Sequence, residues 1–156
     1  MTLYFEDMQV GDKREIAGYT FTREEIIEFG RRFDPQPFHI DEEAAESSPY
    51  GGLIASGWHT VSACMRILVT SLLGPESGSL GSPGADEIRW LKPVRPGDTL
   101  SVLTEVIEKR PSRSKPDRGL VKLRWTARNQ NGEDVMTMIG LGIFRKRPSH
   151  DQTDPS

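Results

Sequence analysis

Asp34 and His39 stand five positions apart in the stretch FDPQPFH, residues 33–39. A carboxylate and an imidazole can take a proton from water and pass one on. Pro35 and Pro37 lock φ and push Asp34 and Gln36 toward extended backbone, so the segment is expected to be a stiff, kinked loop outside any helix. Such a loop also serves as an ordinary helix stop, and the pair means chemistry only if a third group faces it. Gly57 is the candidate. It precedes a long apolar run, and its amide would lie at a helix N-terminus, where unpaired N–H groups and the helix dipole favour developing negative charge. The plainer reading is that Gly51, Gly52 and Gly57 only make a turn. If Gly57 faces Asp34 and His39, the three form a site for adding water beside a carbonyl. Asp34 would be the base, His39 would hold or relay its proton, and the amide would stabilise an enolate oxygen.

The elements that must position these groups are legible from periodicity. Thr22 is an N-cap, with Glu25 three residues on completing a capping box. The helix it opens runs over 23–33, where Asp34-Pro35 stops it. Residues 14–22 read as a short strand, and 41–48 as a short helix capped by Asp41. A third helix begins near Gly57 and runs to about residue 73, with Trp58, Val61, Met65, Leu68 and Leu72 stepping by three and four. It is apolar on nearly every side, the mark of an enclosed helix. After a Gly/Ser/Pro loop, four alternating runs follow: DEIRWLKPV, DTLSVLTEVIEK, GLVKLRWTARNQ and EDVMTMIGLGIFRK. Turn signals bound them, including Asn131-Gly132, and they are expected to form a four-strand antiparallel meander. The fold class is α+β, an antiparallel sheet wrapped around a long central helix. Such a sheet leaves one flank of the helix uncovered, so a homodimer or higher homo-oligomer is expected. The domain is read as 1–146, with 147–156 as a disordered tail.

Composition narrows the function classes. The chain has 156 residues, 28% of them charged, with a net charge of −3, which fits one globular domain and argues against a general nucleic-acid binder. The acidic N-terminal stretch is unlike a signal peptide, and the longest apolar run carries Arg66 and His59, too polar for a membrane span. With a single cysteine, Cys64, no internal disulfide is expected, and the cytoplasm is the default compartment. No His/Cys/Asp spacing resembles a metal site. His59 reads as a packing or capping residue, Cys64 as inert core, and Ser56 lacks the context of a nucleophile. On this acidic chain the segment EKRPSRSKPDRG gathers Lys109, Arg110, Arg113, Lys115 and Arg118. It is either a solvated hairpin loop or a clamp, with Arg113 and Lys115 at its tip, for the phosphates of a nucleotide-bearing thioester such as coenzyme A.

RRFDPQPFHIDEEAA followed by GGLIASGWHT resembles the MaoC-like enoyl-CoA hydratase/acyl dehydratase family of hotdog-fold proteins. The marks are D-x4-H with a proline inside, then a Gly-x-Ile-Ala-x-Gly segment entering the central helix; RWLKPVRPGDTL is similar to the family's next strand and turn. The likeness spans about residues 5 to 146. It implies a hotdog fold, dimers or dimers of dimers, and an acyl-CoA substrate with no separate cofactor, coenzyme A being part of that substrate. It also implies Asp34 and His39 as the catalytic pair and the Gly57 amide on the thioester oxygen. The implied reaction is reversible hydration of a trans-2-enoyl-CoA to the (R)-3-hydroxyacyl-CoA. Two positions depart from the pattern: Gln36 stands where many members have Asn, and Met65 where some have a serine supporting the pair. A hotdog acyl-CoA thioesterase and a catalytically silent acyl-CoA-binding protein are the competing readings. The absence of Asp and Glu from residues 57–73 weighs against the thioesterase.

Overall fold

The computed structural model describes residues 2–149. Five strands form one antiparallel sheet: β1 (Lys13–Thr20), β2 (Gly84–Trp90), β3 (Thr99–Pro111), β4 (Arg118–Arg128) and β5 (Asp134–Arg145). Four helices precede β2: α1 (Arg23–Phe33), α2 (Pro37–Ile40), α3 (Glu42–Glu46) and α4 (Gly57–Leu68). The last passes into a π-helical turn over Val69–Leu73. Inward-facing residues of β3 and β4 alternate with half-exposed ones and, with buried Met136 and Met138 of β5, form one core with Ala63, Cys64, Ile67 and Leu68 of α4. Burial pushes the Cys64 thiol up to about 12, so it behaves as a core methyl-sized group.

The expected meander holds only for its last three strands. The sheet order is β1-β3-β4-β5-β2, so β2 lies at the far edge beside β5 and not beside β3. The link between them, residues 91–98, is no tight hairpin. It crosses the start of α4, where the buried Val94 accepts a hydrogen bond from Ala55 N–H at 2.8 Å. The helix at 57–73 is likewise less enclosed than its composition suggests, because Trp58, Met65 and Val69 form an exposed stripe along it.

Three local expectations are refined. Thr22 accepts from Glu25 N–H at 3.2 Å, but the Glu25 carboxylate takes the Tyr19 hydroxyl at 2.6 Å instead of returning to the cap, so half of the capping box forms. The segment 34–39 is not loop throughout. Pro37 takes the first position of the one-turn α2, where its missing N–H is no loss, and His39 rides in that turn. The chain is still anchored at Arg147, which the sequence assigns to the tail. Its N–H donates to Glu6 and its guanidinium pairs with Asp7. The rest of the expected tail, 150–156, lies outside the described residues.

Candidate active site

Asp34 is the C-cap of α1, and its N–H donates to Gly30 O at 2.8 Å. The chain then doubles back through α2, which packs closely on α1. A Cβ at Gly30 would sit 2.9 Å from Ile40 and 3.0 Å from the His39 Cβ, so only glycine permits the approach. The return carries His39 Nε2 to 3.2 Å from Asp34 Oδ2. On the other side of the ring, His39 Nδ1 lies 2.7 Å from the Ile54 carbonyl. A carbonyl only accepts, so Nδ1 carries a proton and donates it. Nε2 faces the Asp34 carboxylate, which can only accept from it or receive a proton passed along the same line.

Two more donors reach the same carboxylate. Ser56 Oγ–H donates to Asp34 Oδ2 at 2.8 Å, and Gln36 Nε2–H donates to Oδ1 at 2.7 Å. Burial works against ionising Asp34. The hydrogen bonds from Gln36 and Ser56, together with the His39 ring, outweigh it and hold the carboxyl below its ordinary range. Asp34 is an anion at neutral pH.

Gly57 is the first residue of α4, so its N–H belongs to the turn that has no partner within the helix. Ser56, the N-cap, makes no side-chain bond to those amides. Asp34, His39, Gly57, Thr60 and Trp90 all line one cleft of about 530 Å³. Trp90, at the end of β2, lies flat over Gly57. Its indole N–H donates to Gly57 O at 2.9 Å, and a Cβ on Gly57 would come within 2.4 Å of the ring. The three residues that sequence reasoning places together as a chemical site therefore share one wall. Gln36, Ser56 and Trp90 complete it. A serine just before a helix is legible as a cap, but nothing local shows that it turns to a carboxylate 22 residues away. Met65 is exposed and does not line this cleft, whereas the Ser56 hydroxyl reaches Asp34 from the helix start.

Arg113 and Lys115 are not in this cleft. They lie in the β3–β4 hairpin with Arg110 and Arg118, around a separate surface hollow of about 560 Å³. Trp90 shares a row of the sheet with Met136, Ala127 and Val102, whereas the hairpin begins at Pro111. At ~3.3 Å per residue, that puts the hairpin about 30 Å along the sheet from the site of the same protomer. His59 stands apart too. It is buried, stacked on Phe29 with ring centroids 4.7 Å apart, and its Nδ1 has no partner among the described residues. Among the described residues no group of three or more His, Cys, Asp and Glu side chains converges as a metal site, and no helix is long and apolar enough to cross a membrane.

Comparison with known proteins gives these features a lineage. The 3-hydroxybutyryl-CoA dehydratase of Methylorubrum extorquens is 32% identical over 154 residues, covering 98% of this chain and 89% of that one. The crystal structure of a MaoC-like dehydratase from Rhodospirillum rubrum superposes with a TM-score of 0.86 at 44% identity, covering 94% of this chain and 99% of that one. A Mycobacterium tuberculosis protein with a double hotdog fold matches with a TM-score of 0.75 at 20% identity; this chain, covered over 99% of its length, corresponds to 47% of that one. The sheet wrapped on α4 is thus a hotdog fold. Residues 7–127 match the MaoC like domain, and the chain belongs to that family of hydratases and dehydratases.

Proposed function

We propose that the protein is an (R)-type enoyl-CoA hydratase, or in reverse a 3-hydroxyacyl-CoA dehydratase. The observation that carries this reading is the Asp34–His39 pair, 3.2 Å apart beside the first-turn amide of α4 in one cleft. The thioester oxygen of a 2-enoyl-CoA accepts from Gly57 N–H, which draws electron density from C3. A water held by Asp34 adds to C3 as Asp34 takes its proton. The His39 Nε2 proton goes to C2, the enolate returns to a thioester, and the proton on Asp34 passes to His39 to reset the pair. One water is added and no other reactant is consumed. The Methylorubrum relative named for acting on 3-hydroxybutyryl-CoA supports this class of substrate.

The acyl-CoA also needs its phosphates held, and the basic hairpin of the same protomer is too far away. β2 is an edge strand with exposed residues, next to the bare Trp58–Met65–Val69 stripe of α4. Antiparallel pairing with a second copy about Ile88 would set Glu87 of each strand against Arg89 of the other. That two-fold arrangement reverses strand direction and carries the partner's Arg113 and Lys115 toward the cleft. The reading is therefore a homodimer whose hairpins clamp coenzyme A across the two-fold.

Enoyl-CoAs of graded length and branching, followed by loss of enoyl absorbance alongside a free-thiol assay on saturated acyl-CoAs, test the chemistry. Enoyl loss without thiol release is expected; thiol release from saturated thioesters would instead mark a thioesterase. Replacing Arg113 and Lys115 together by Ala should raise KM for the CoA thioester and weaken its salt dependence while kcat holds, because phosphate contacts bind ground and transition states alike. An unchanged KM would return the hairpin to bare surface.

A further inference from the structure

We propose that Ser56 is a positioning residue for Asp34, its hydroxyl diverted from capping α4 to holding the catalytic carboxylate. The inference rests on the hydratase reading above. A serine at an N-cap ordinarily accepts a hydrogen bond from the second or third amide of its helix. Ser56 has the position and the extended ψ of 140° but makes no such bond. Its side chain is wholly buried, and its one hydroxyl proton goes to Asp34 Oδ2. A buried hydroxyl aimed at a carboxylate instead of at its own helix has given up the local partner for a distant one.

This has two effects on the site. Oδ2 already faces His39 Nε2, and Asp34 sits at the C-cap of α1 with non-helical φ −152° and ψ 69°. Without Ser56 that oxygen is held by the imidazole alone, with Gln36 holding only Oδ1. The bond from Ser56 joins the C-cap of α1 to the N-cap of α4, so that base and oxyanion amide stand in fixed relation. The second effect is on the helix. Because the hydroxyl turns away, the first-turn amides of α4 stay open to a substrate oxygen instead of being closed by their own cap.

The test compares wild type with Ser56→Ala, Ser56→Cys and Ser56→Thr. Ser56→Ala should lower kcat on the order of 10-fold to 100-fold with KM little changed. It should also move the acid limb of the pH profile to higher pH, because a donor that favours the carboxylate is gone. Ser56→Cys, close in size with a weak donor, should fall between, and Ser56→Thr should restore both readouts. A carboxyl-carbon NMR titration of Asp34 reads the same change without turnover: its pKa should rise in Ser56→Ala. A residue that only caps or fills space would lower thermal stability and leave the acid limb and the Asp34 titration where they are, and that result overturns the inference. A wild type inactive on every enoyl thioester sinks the hydratase reading alone, since the titration still decides what Ser56 does to Asp34.

Discussion

The molecule buries two histidines near the start of α4, and they are wired differently. His39 is met on both ring nitrogens, by the Ile54 carbonyl and by Asp34, and it opens on the cleft. His59, in the first turn of α4, is just as hidden, yet it is held by the face of Phe29 and the tilted ring of Phe21, and its Nδ1 has no partner among the described residues. Burial alone does not make an imidazole useful. A partnered ring has a fixed tautomer and a place to send its proton, whereas a stacked ring is a flat, slightly polar core group.

The largest effect should separate the two rings outright. Asp34→Asn keeps size and most hydrogen bonds but removes the proposed base, so kcat should fall on the order of 10²-fold or more while substrate still binds. His39→Ala should act similarly, and the double variant should lose little beyond the worse single, because the pair acts as one unit. Nearly full hydratase activity in Asp34→Asn would reduce residues 33–39 to a rigid helix stop.

A middle effect is expected at Gly57, two residues before His59. Gly57→Ala pushes a methyl group into the Trp90 ring, and the indole must leave the Gly57 carbonyl. We expect kcat to drop by roughly 10-fold through displacement of the oxyanion amide. Part of it should return in Gly57→Ala/Trp90→Ala, where the methyl has room. A double variant no better than the single would show that the ring and the amide are uncoupled.

The smallest effect on activity belongs to His59. Burial lowers its pKa below the ordinary 6.5, with Glu25 pulling weakly the other way. The unfolded chain therefore binds a proton more readily than the folded one. His59 leaves stability intact above about pH 6.5 and costs stability as pH falls from there through its lower folded value. His59→Phe keeps the stack on Phe29 and should leave kcat near wild type. Urea unfolding measured from about pH 7 down to about pH 5 should show a shallower loss of stability than wild type. An identical slope would mean that His59 is protonated in the folded protein as readily as in the unfolded chain.

How much of this was legible in the sequence follows from how local each signal is. Helix α1 starts at Thr22 and stops at Asp34 because a cap and a proline are adjacent in the chain. The pairing of Asp34 with His39 was legible for the same reason, with four residues, two of them prolines, between the ends. Trp90 over Gly57, Ser56 to Asp34 and the placement of β2 beside β5 were not. Each joins residues far apart in sequence and depends on tertiary packing, to which no periodicity refers. The basic hairpin shows the reverse error: its charges were plain, but the strand length that separates them from the cleft is a property of the whole sheet.

The strand order also bears on how the chain comes to fold. β3, β4 and β5 close through short turns, at Pro111↔Gly119 and Arg128↔Asp134, and such local pairings form early at small entropic cost. β1 pairs with β3 through Thr20↔Thr99, so everything between, from Thr22 through Ser56 to Trp90, is one large loop that this pairing must close. The three-stranded core can therefore exist before the active site does. Asp34 and His39 are neighbours in the chain, but Gly57 and Trp90 come to them from within the span that the clasp of β1 on β3 closes, and a lesion in that clasp is expected to open the cleft while most of the sheet remains.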